Sequence, residues 1–332
     1  MTTRLDGSGT RFLPFNRGDN GAKGNPPNPS GHRTSYLWEQ VWQRDGWLEI
    51  LGRYVVAERD SKRQIKGLVF PRYHQLDATR KLVAAVLKEG PGRKYLIQHS
   101  AGSGKTNSIA WTAHFLANLH DASNEKLFSS VIVVSDRNVI DAQLQAAIFD
   151  FERTTGVVAV ITNAESSKSA ALAEALAAGK KIIVCTIQTF PFALEAVREA
   201  AKTAGKRFAV IADEAHSSQT GQAAAKLKQV LTAEEAKELD DGGEVSMDDV
   251  LAVEMAARAS DKGITYVAFT ATPKAKTLEL FGRRPKPDEP AREPDNLPEP
   301  FHVYSMRQAI EESFILDVLR QLHALQAGFQ AG

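Results

Sequence analysis

The stretch Gln98-His99-Ser100-Ala101-Gly102-Ser103-Gly104-Lys105-Thr106 decides how the rest of the chain is read. A short apolar run, Lys94 to Ile97, precedes it, and a helix-like run, Asn107 to Leu119, follows. Strand, glycine-rich turn, Lys-Thr and helix is the order required by a loop that cradles phosphate. Gly102 and Gly104 let the backbone turn tightly and aim its N–H groups inward. The helix that follows points its positive end at the same place. In this reading Gly102, Ser103, Gly104, Lys105 and Thr106 bind a nucleotide. Lys105 reaches the β- and γ-phosphates, and the Thr106 hydroxyl holds Mg²⁺. His99 stands where the general G-x-x-x-x-G-K-[ST] pattern has its first glycine. The implied ligands are ATP and Mg²⁺. The bland alternative is a Gly/Ser loop with an exposed lysine.

Outward from this stretch the chain alternates between two periodicities. Strand-like runs are Tyr95–Gln98, Val131–Ser135, Val157–Ile161, Ile182–Thr186, Ala209–Ala212 and Tyr266–Thr270. Helix-like runs are His74–Lys88, Thr106–Leu119, Asn138–Asp150, Ser167–Ala178, Pro191–Ala204 and Ala215–Leu231. The strand runs are continuously apolar, as expected where helices cover both faces of a sheet. The alternation predicts an α/β fold, a parallel sheet flanked by helices. Ligands of such sheets bind beyond the carboxyl ends of the strands, where the quoted loop falls.

Other polar sets fall at those ends. Phe208-Ala-Val-Ile-Ala-Asp213-Glu214-Ala215-His216 puts two carboxylates at the end of a buried strand. Mg²⁺ is a reason for charge there: Asp213 would hold the metal, and Glu214 would orient and deprotonate an attacking water. On its own the pair would read as a helix cap. A hydrogen bond toward the next motif is the economical role for His216. Thr270-Ala271-Thr272-Pro273 closes the last strand, and Thr270 and Thr272 can bond Asp213 or His216. Ser135-Asp136-Arg137 and Thr186-Ile187-Gln188-Thr189 are of the kind that holds nucleic-acid phosphates, with Arg137, Thr186, Gln188 and Thr189 as candidates. Taken singly these are strand-ending loops. Tyr73-His74-Gln75 offers a ring and a bidentate amide for adenine, with Arg72 beside it.

Before this region lies an irregular N-terminal segment. Residues 1 to about 35 are rich in Gly, Asn, Pro and Arg and read as loop, but Phe12, Leu13 and Phe15 are apolar enough to pack on a neighbour. Tyr36 to Tyr54 reads as two short helices broken at Gly46. Its tryptophans, Trp38, Trp42 and Trp47, fit a docking core, with a base-stacking platform as the alternative. Past the last strand, Arg283 to Pro300 is rich in proline and charge and reads as a linker. Tyr304–Leu319 then reads as an amphipathic helix. The domain expectation is 1–55 as an N-terminal edge, 56–282 as the nucleotide-binding domain with an acidic insertion at 232–262, and 283–332 as linker and helix.

Composition narrows the class. The 332 residues are 43% hydrophobic and 24% charged, ordinary for a globular chain, and the net charge of +1 announces no global nucleic-acid binder. The single cysteine, Cys185, lies in an apolar strand run and reads as buried. No run approaches the ~20 apolar residues of a membrane span, and no signal core follows Met1. The expected location is cytoplasmic, with no membrane partner.

The motifs in this order resemble superfamily-two helicases and translocases with a RecA-like P-loop core. Gln75 matches the adenine-reading Q motif, and His99–Thr106 matches motif I. Asp213-Glu214-Ala215-His216 is the DEAH form of motif II, and Thr270-Ala271-Thr272 is motif III. Further wording is similar to the motor (R) subunit of type I restriction enzymes: Phe12-Leu-Pro-Phe-Asn16, Gly24-Asn-Pro-Pro-Asn28, Tyr36-Leu-Trp-Glu39, Arg72-Tyr-His-Gln75, Phe269-Thr-Ala-Thr-Pro-Lys274 and Tyr304-Ser-Met-Arg-Gln-Ala-Ile-Glu-Glu312. The His99 variant of motif I is normal for that family.

The resemblance implies ATP-driven translocation of duplex DNA. Its partners would be methyltransferase (M) and specificity (S) subunits. It also implies a nuclease domain, of which residues 1 to about 50 would be the trailing edge, and a second RecA-like domain, with motifs IV to VI and an arginine finger, following the bridge. The sequence has no Asp…Glu-x-Lys set to carry cleavage and no second RecA-like domain. A truncated fragment is therefore expected, with weak ATP turnover and no nuclease. A one-base frameshift near Arg320 would explain why the tail loses family character. A remnant that binds nucleotide or partner without turnover is the alternative. A stand-alone superfamily-two ATPase is a third reading, disfavoured by the tryptophan-rich wording.

Overall fold

The computed structural model describes residues 7–10, 12–59, 64–135, 142–152, 156–161, 168–186, 196–197, 200–201, 205–213, 263–289 and 295–317. The chain divides into two compact units. One comprises Met1–His74, His99–Lys105 and Val303–Gly332, the other Gln75–Gln98 and Thr106–His302.

The second unit carries the parallel sheet expected from the apolar runs. In chain order its elements are α2 (Tyr73–Glu89), β3 (Lys94–His99), α3 (Lys105–Ala117), β4 (Ser130–Ser135), α4 (Ala142–Asp150), β5 (Val158–Ile161), α5 (Lys168–Ala177), β6 (Ile182–Thr186), β7 (Phe208–Asp213), β8 (Ile264–Thr270), α6 (Ala275–Phe281) and β9 (His302–Tyr304). The strands lie in the order β5-β6-β4-β7-β8-β3-β9, and every pairing from β5 through β3 is parallel. At their ends α2, β3, α3 and β9 run on into residues of the first unit.

Both faces of the sheet are buried, which explains why its strands do not alternate. Ile132, Val134, Ile183, Cys185, Phe208, Val210 and Ala212 share one core with Leu172 of α5 and Phe281 of α6. The intervening residues Val131, Val133, Ile182, Val184, Ala209 and Ile211 are buried as deeply. Between α3 and α4, Trp111 packs on Phe151 at 5.2 Å, and His114 Nε2 donates to the Ile148 carbonyl.

The segment read as a linker is held by specific contacts within this unit. Arg283 donates to both Glu89 carboxylate oxygens at 2.7 and 2.8 Å, and its guanidinium lies over Tyr95. Asn296, fully buried, donates to the Lys286 and Glu289 carbonyls. The compositional signal is real, but buried polar side chains supply the ordering that the prolines alone do not suggest.

In the first unit the N-terminal segment packs through Phe15, while Phe12, also expected to pack, is 71% exposed. The Phe15 ring meets Tyr73 edge-on at 5.6 Å, and Tyr36 meets Tyr73 at 5.0 Å. The Tyr36 hydroxyl donates to the Phe15 carbonyl. Two π-helical turns, Leu37–Val41 and Ile50–Tyr54, flank α1 (Arg44–Glu49). The break therefore lies before Gln43, whose side chain caps α1, and not at Gly46. Gly46 lies inside α1, and the position takes glycine because a Cβ there would clash with the Gln40 carbonyl oxygen. The expected tryptophan core is not what packs. Trp38, Trp42 and Trp47 are 50%, 59% and 37% exposed, whereas Tyr36, Val41, Ile50 and Tyr54 are buried. A two-stranded antiparallel ribbon, β1 (Val56–Arg59) and β2 (Ile65–Val69), follows.

The predicted C-terminal helix over Tyr304–Leu319 is also corrected. Tyr304 ends β9, Ser305 caps a short α7 (Met306–Glu311) by accepting from Gln308 N–H, and the helix closes at Glu312. Ser313 at φ +62° turns the chain out of helical geometry. The helices read over 191–204 and 215–231 and the acidic insertion lie wholly or mostly outside the described residues, of which 196–197 and 200–201 are helical.

Candidate nucleotide-binding site

The loop between β3 and α3 has the shape its glycines predict. Gly102 lies at φ +70° and Gly104 at φ +81°, conformations that L side chains resist. Consecutive turns of this kind make a concave nest of backbone N–H groups that suits an anion. Lys105 begins α3, a helix of 13 residues, so the positive end of a full-length helix meets the loop. Its ammonium donates to the His99 carbonyl at 3.3 Å. The Ser100 hydroxyl is fully buried and has no hydrogen-bond partner among the described residues. Glycine-shaped cradle, helix start and lysine together fit a polyphosphate.

Within the first unit the loop is gripped from outside. The Ser100 N–H donates to the Tyr304 carbonyl at 3.0 Å, and the Ser103 N–H to the Ser100 carbonyl at 3.2 Å. Arg72 Nη1 donates to the Gly102 carbonyl at 3.1 Å, while its guanidinium carbon sits 3.9 Å from the centre of the Phe314 ring. Burial lowers the Arg72 pKa and the fields of Tyr304 and Glu312 oppose it, so the group stays cationic at neutral pH. His74 Nε2 donates to the Ser103 carbonyl at 3.0 Å, and its ring stacks on Tyr304 at 3.7 Å and 15°. The Tyr304 hydroxyl donates to buried Glu312 at 2.8 Å, and Gln308 Nε2 donates to the other carboxylate oxygen at 3.0 Å. Burial, then the hydrogen bond to Glu312 and its charge, push the Tyr304 phenol far above its usual range.

In the second unit, register aligns the remaining candidates along the carboxyl edge of the sheet. Gln98 pairs with Thr270, and Asp213 pairs with Phe269, one residue earlier. Ser135 pairs with Thr186, and Val134 with Ala212. Thr270, Asp213, Ser135 and Thr186 therefore end four further strands at about the level of Gln98, the next-to-last residue of β3. Asp213 is half-buried, while Thr270, Ser135 and Thr186 are buried. Thr272 is exposed just beyond β8. Gln75, 3% exposed, lies in the first turn of α2, where its carbonyl accepts from the Thr79 hydroxyl. Glu214, His216, Arg137, Gln188 and Thr189 lie outside the described residues.

His74, Tyr304, Phe314 and Ile315 are the residues near the loop that sequence reasoning missed. His74 was inside a quoted cluster, but its partner Tyr304 lies 230 positions away, and no local pattern links them.

A parallel α/β sheet with a phosphate-shaped loop at a strand end defines a P-loop nucleotide-binding domain of RecA-like type. Residues 74–237 match the SWI2/SNF2 ATPase family model, so this segment is a superfamily-two helicase-like ATPase domain. No curated protein matches the chain. Among the described residues no helix is long and apolar enough to cross a membrane.

Proposed function

We propose that this chain supplies the ATP-binding first motor domain of a type I restriction enzyme R subunit, a DEAH-type machine that translocates duplex DNA in complex with methyltransferase and specificity subunits. The observation that carries the nucleotide part is the glycine cradle at Gly102 and Gly104 opening directly into α3. The restriction part rests on the wording of residues 12–39, 72–75, 269–274 and 304–312, much of it outside the segment that the family model covers.

The roles follow from the chemistry of each group. Backbone N–H groups of the loop and the Lys105 ammonium hold the β- and γ-phosphates. The Thr106 hydroxyl and the Asp213 carboxylate are the Mg²⁺ ligands, hard oxygens for a hard cation. Mg²⁺, when bound, neutralises charge on the transferring phosphoryl group. Glu214 positions and deprotonates the attacking water. Gln75 and Arg72 read the adenine. Thr270, Thr272 and His216 pass the nucleotide state onward, and Arg137, Thr186, Gln188 and Thr189 meet DNA phosphates.

ATP hydrolysis by the wild type and Lys105→Ala, with and without duplex DNA, tests this reading. DNA-stimulated turnover that Lys105→Ala abolishes is the expected result. Mg·ATP binding without turnover would leave the nucleotide site and remove the motor. No Mg·ATP or Mg·ADP binding by the wild type would remove the whole proposal. Co-purification with methyltransferase and specificity subunits separates the restriction reading from a stand-alone superfamily-two ATPase.

A further inference from the structure

Three backbone groups of the phosphate loop are held by residues that lie outside it in sequence. Ser100 N–H is held by the Tyr304 carbonyl, Gly102 C=O by Arg72, and Ser103 C=O by His74. The last of these has a direct consequence for the cradle. In a planar trans peptide, the carbonyl of one residue and the N–H of the next point in opposite directions. Fixing the Ser103 carbonyl therefore fixes the direction of the Gly104 N–H, turning it away from His74. Gly104 is the last glycine of the cradle, at φ +81°, where the backbone has least intrinsic preference and external support matters most.

A carbonyl oxygen only accepts hydrogen bonds, so His74 must carry its proton on Nε2. Its ring is 5% exposed and cannot turn freely. It is stacked on Tyr304 and met edge-on by His99 at 5.1 Å. Tyr304 is itself fixed at both ends, by its main-chain carbonyl on Ser100 and its hydroxyl on Glu312. We infer that His74 is a positioning residue for polyphosphate binding: held by Tyr304, it aims the Gly104 N–H by gripping the Ser103 carbonyl. The inference rests on the reading that this loop binds nucleotide, and it assigns a function to β9, which lies outside residues 74–237.

The test uses the full chain and measures Mg·ADP and AMP binding by calorimetry, with thermal unfolding as the folding control. His74→Phe keeps a ring to stack on Tyr304 and removes the donor. His74→Gln restores an Nε donor at similar reach. The expected result is about tenfold weaker Mg·ADP binding for His74→Phe, as for loss of one well-placed hydrogen bond. AMP, which lacks the β-phosphate, should bind both proteins alike, and His74→Gln should recover most of the loss. The ¹⁵N spectrum of His74 should show the Nε2–H tautomer in the free protein. A folded His74→Phe that binds Mg·ADP as tightly as the wild type overturns the inference and leaves nucleotide binding intact. Equal losses for ADP and AMP also overturn it, since they mark a general defect. A wild type that binds no ADP overturns this inference together with the proposed function.

Discussion

Replacing Gly102 by alanine tests the loop geometry most directly, because two separate costs act at one atom. The residue sits at φ +70°, and placing an L residue in the left-handed region costs about 1–2 kcal/mol. The added Cβ would also lie 2.5 Å from Ile315 Cγ2, closer than two carbon atoms can approach. Ile315 is β-branched and stiff at χ1, so its methyl cannot swing aside without leaving its rotamer. Overpacking of this kind costs about 1–3 kcal/mol. Together these make about 2–5 kcal/mol against the native loop.

If the loop shifts to relieve the strain, the loss falls on nucleotide affinity. Even the lower figure is then roughly 30-fold in Kd. If the loop holds its shape, the loss falls on stability and the melting temperature drops instead. Calorimetric titration with Mg·ADP and thermal unfolding, run on the same samples, capture both. Ile315→Ala separates the two costs. In Gly102→Ala/Ile315→Ala the steric part is relieved and the backbone part remains, so the double variant should recover at least about 1 kcal/mol relative to additivity. Effects that add within about 0.5 kcal/mol would show that Ile315 does not confine Gly102 and would refute the reasoning. A fully tolerated Gly102→Ala would refute the backbone argument as well.

Two further outcomes follow from other parts of the chain. The Arg283 hydrogen bonds, acting against partial burial, hold the Glu89 carboxyl below the usual carboxylate range. A depressed carboxylate pKa gives stability that is present above the unfolded value of about 4.3 and lost as pH falls through the folded value. Glu89→Gln should therefore lower the melting temperature at pH 7 by about 2–4 °C, for a half-exposed bidentate pair worth about 1 kcal/mol. The difference from wild type should shrink as pH falls below the unfolded value, and one that grew on acidification would contradict the assignment. Cys185 is fully buried in β6, and burial pushes its thiol up to about 12. A thiol-specific disulfide reagent at pH 8 should label it only after denaturant is added, and rapid labelling of the native protein would contradict its placement in the core.

The strands were legible because of how they are buried. Val131–Ser135 and Ile182–Thr186 are covered on both faces, so their apolar runs are continuous and their boundaries fall within a residue of the structure. The phosphate loop was legible because glycine at positive φ leaves a mark in sequence that no other residue leaves as clearly. The region after Pro300 was not legible for the opposite reason. A three-residue strand carries no periodicity of its own, and His302-Val303-Tyr304 joins smoothly in sequence to the helical spacing beyond it. Ser305 ends the strand and caps the helix at once, a boundary that only its hydrogen bond to Gln308 N–H reveals. The tryptophans mislead in a related way: Trp38 and Trp42 are four apart on one helical side, yet the buried side carries Tyr36 and Val41.

The same contrast separates the parts of the loop itself. What the loop can do is local, carried by Gly102, Gly104 and Lys105. What holds it in a shape that can do it is not local. Arg72, His74, Tyr304 and Ile315 come from two stretches more than 200 positions apart, and each meets the loop's own backbone. Groups that act through backbone carry no ligand-binding signature, so a motif search stops at Thr106. A glycine-rich loop has little conformational preference of its own, and each residue fixed costs about 1–2 kcal/mol of backbone entropy. Support from β9 and the turn after α7 offsets that cost before any nucleotide arrives. The loop's affinity should therefore be set as much by residues 304–315 as by the motif that identifies it.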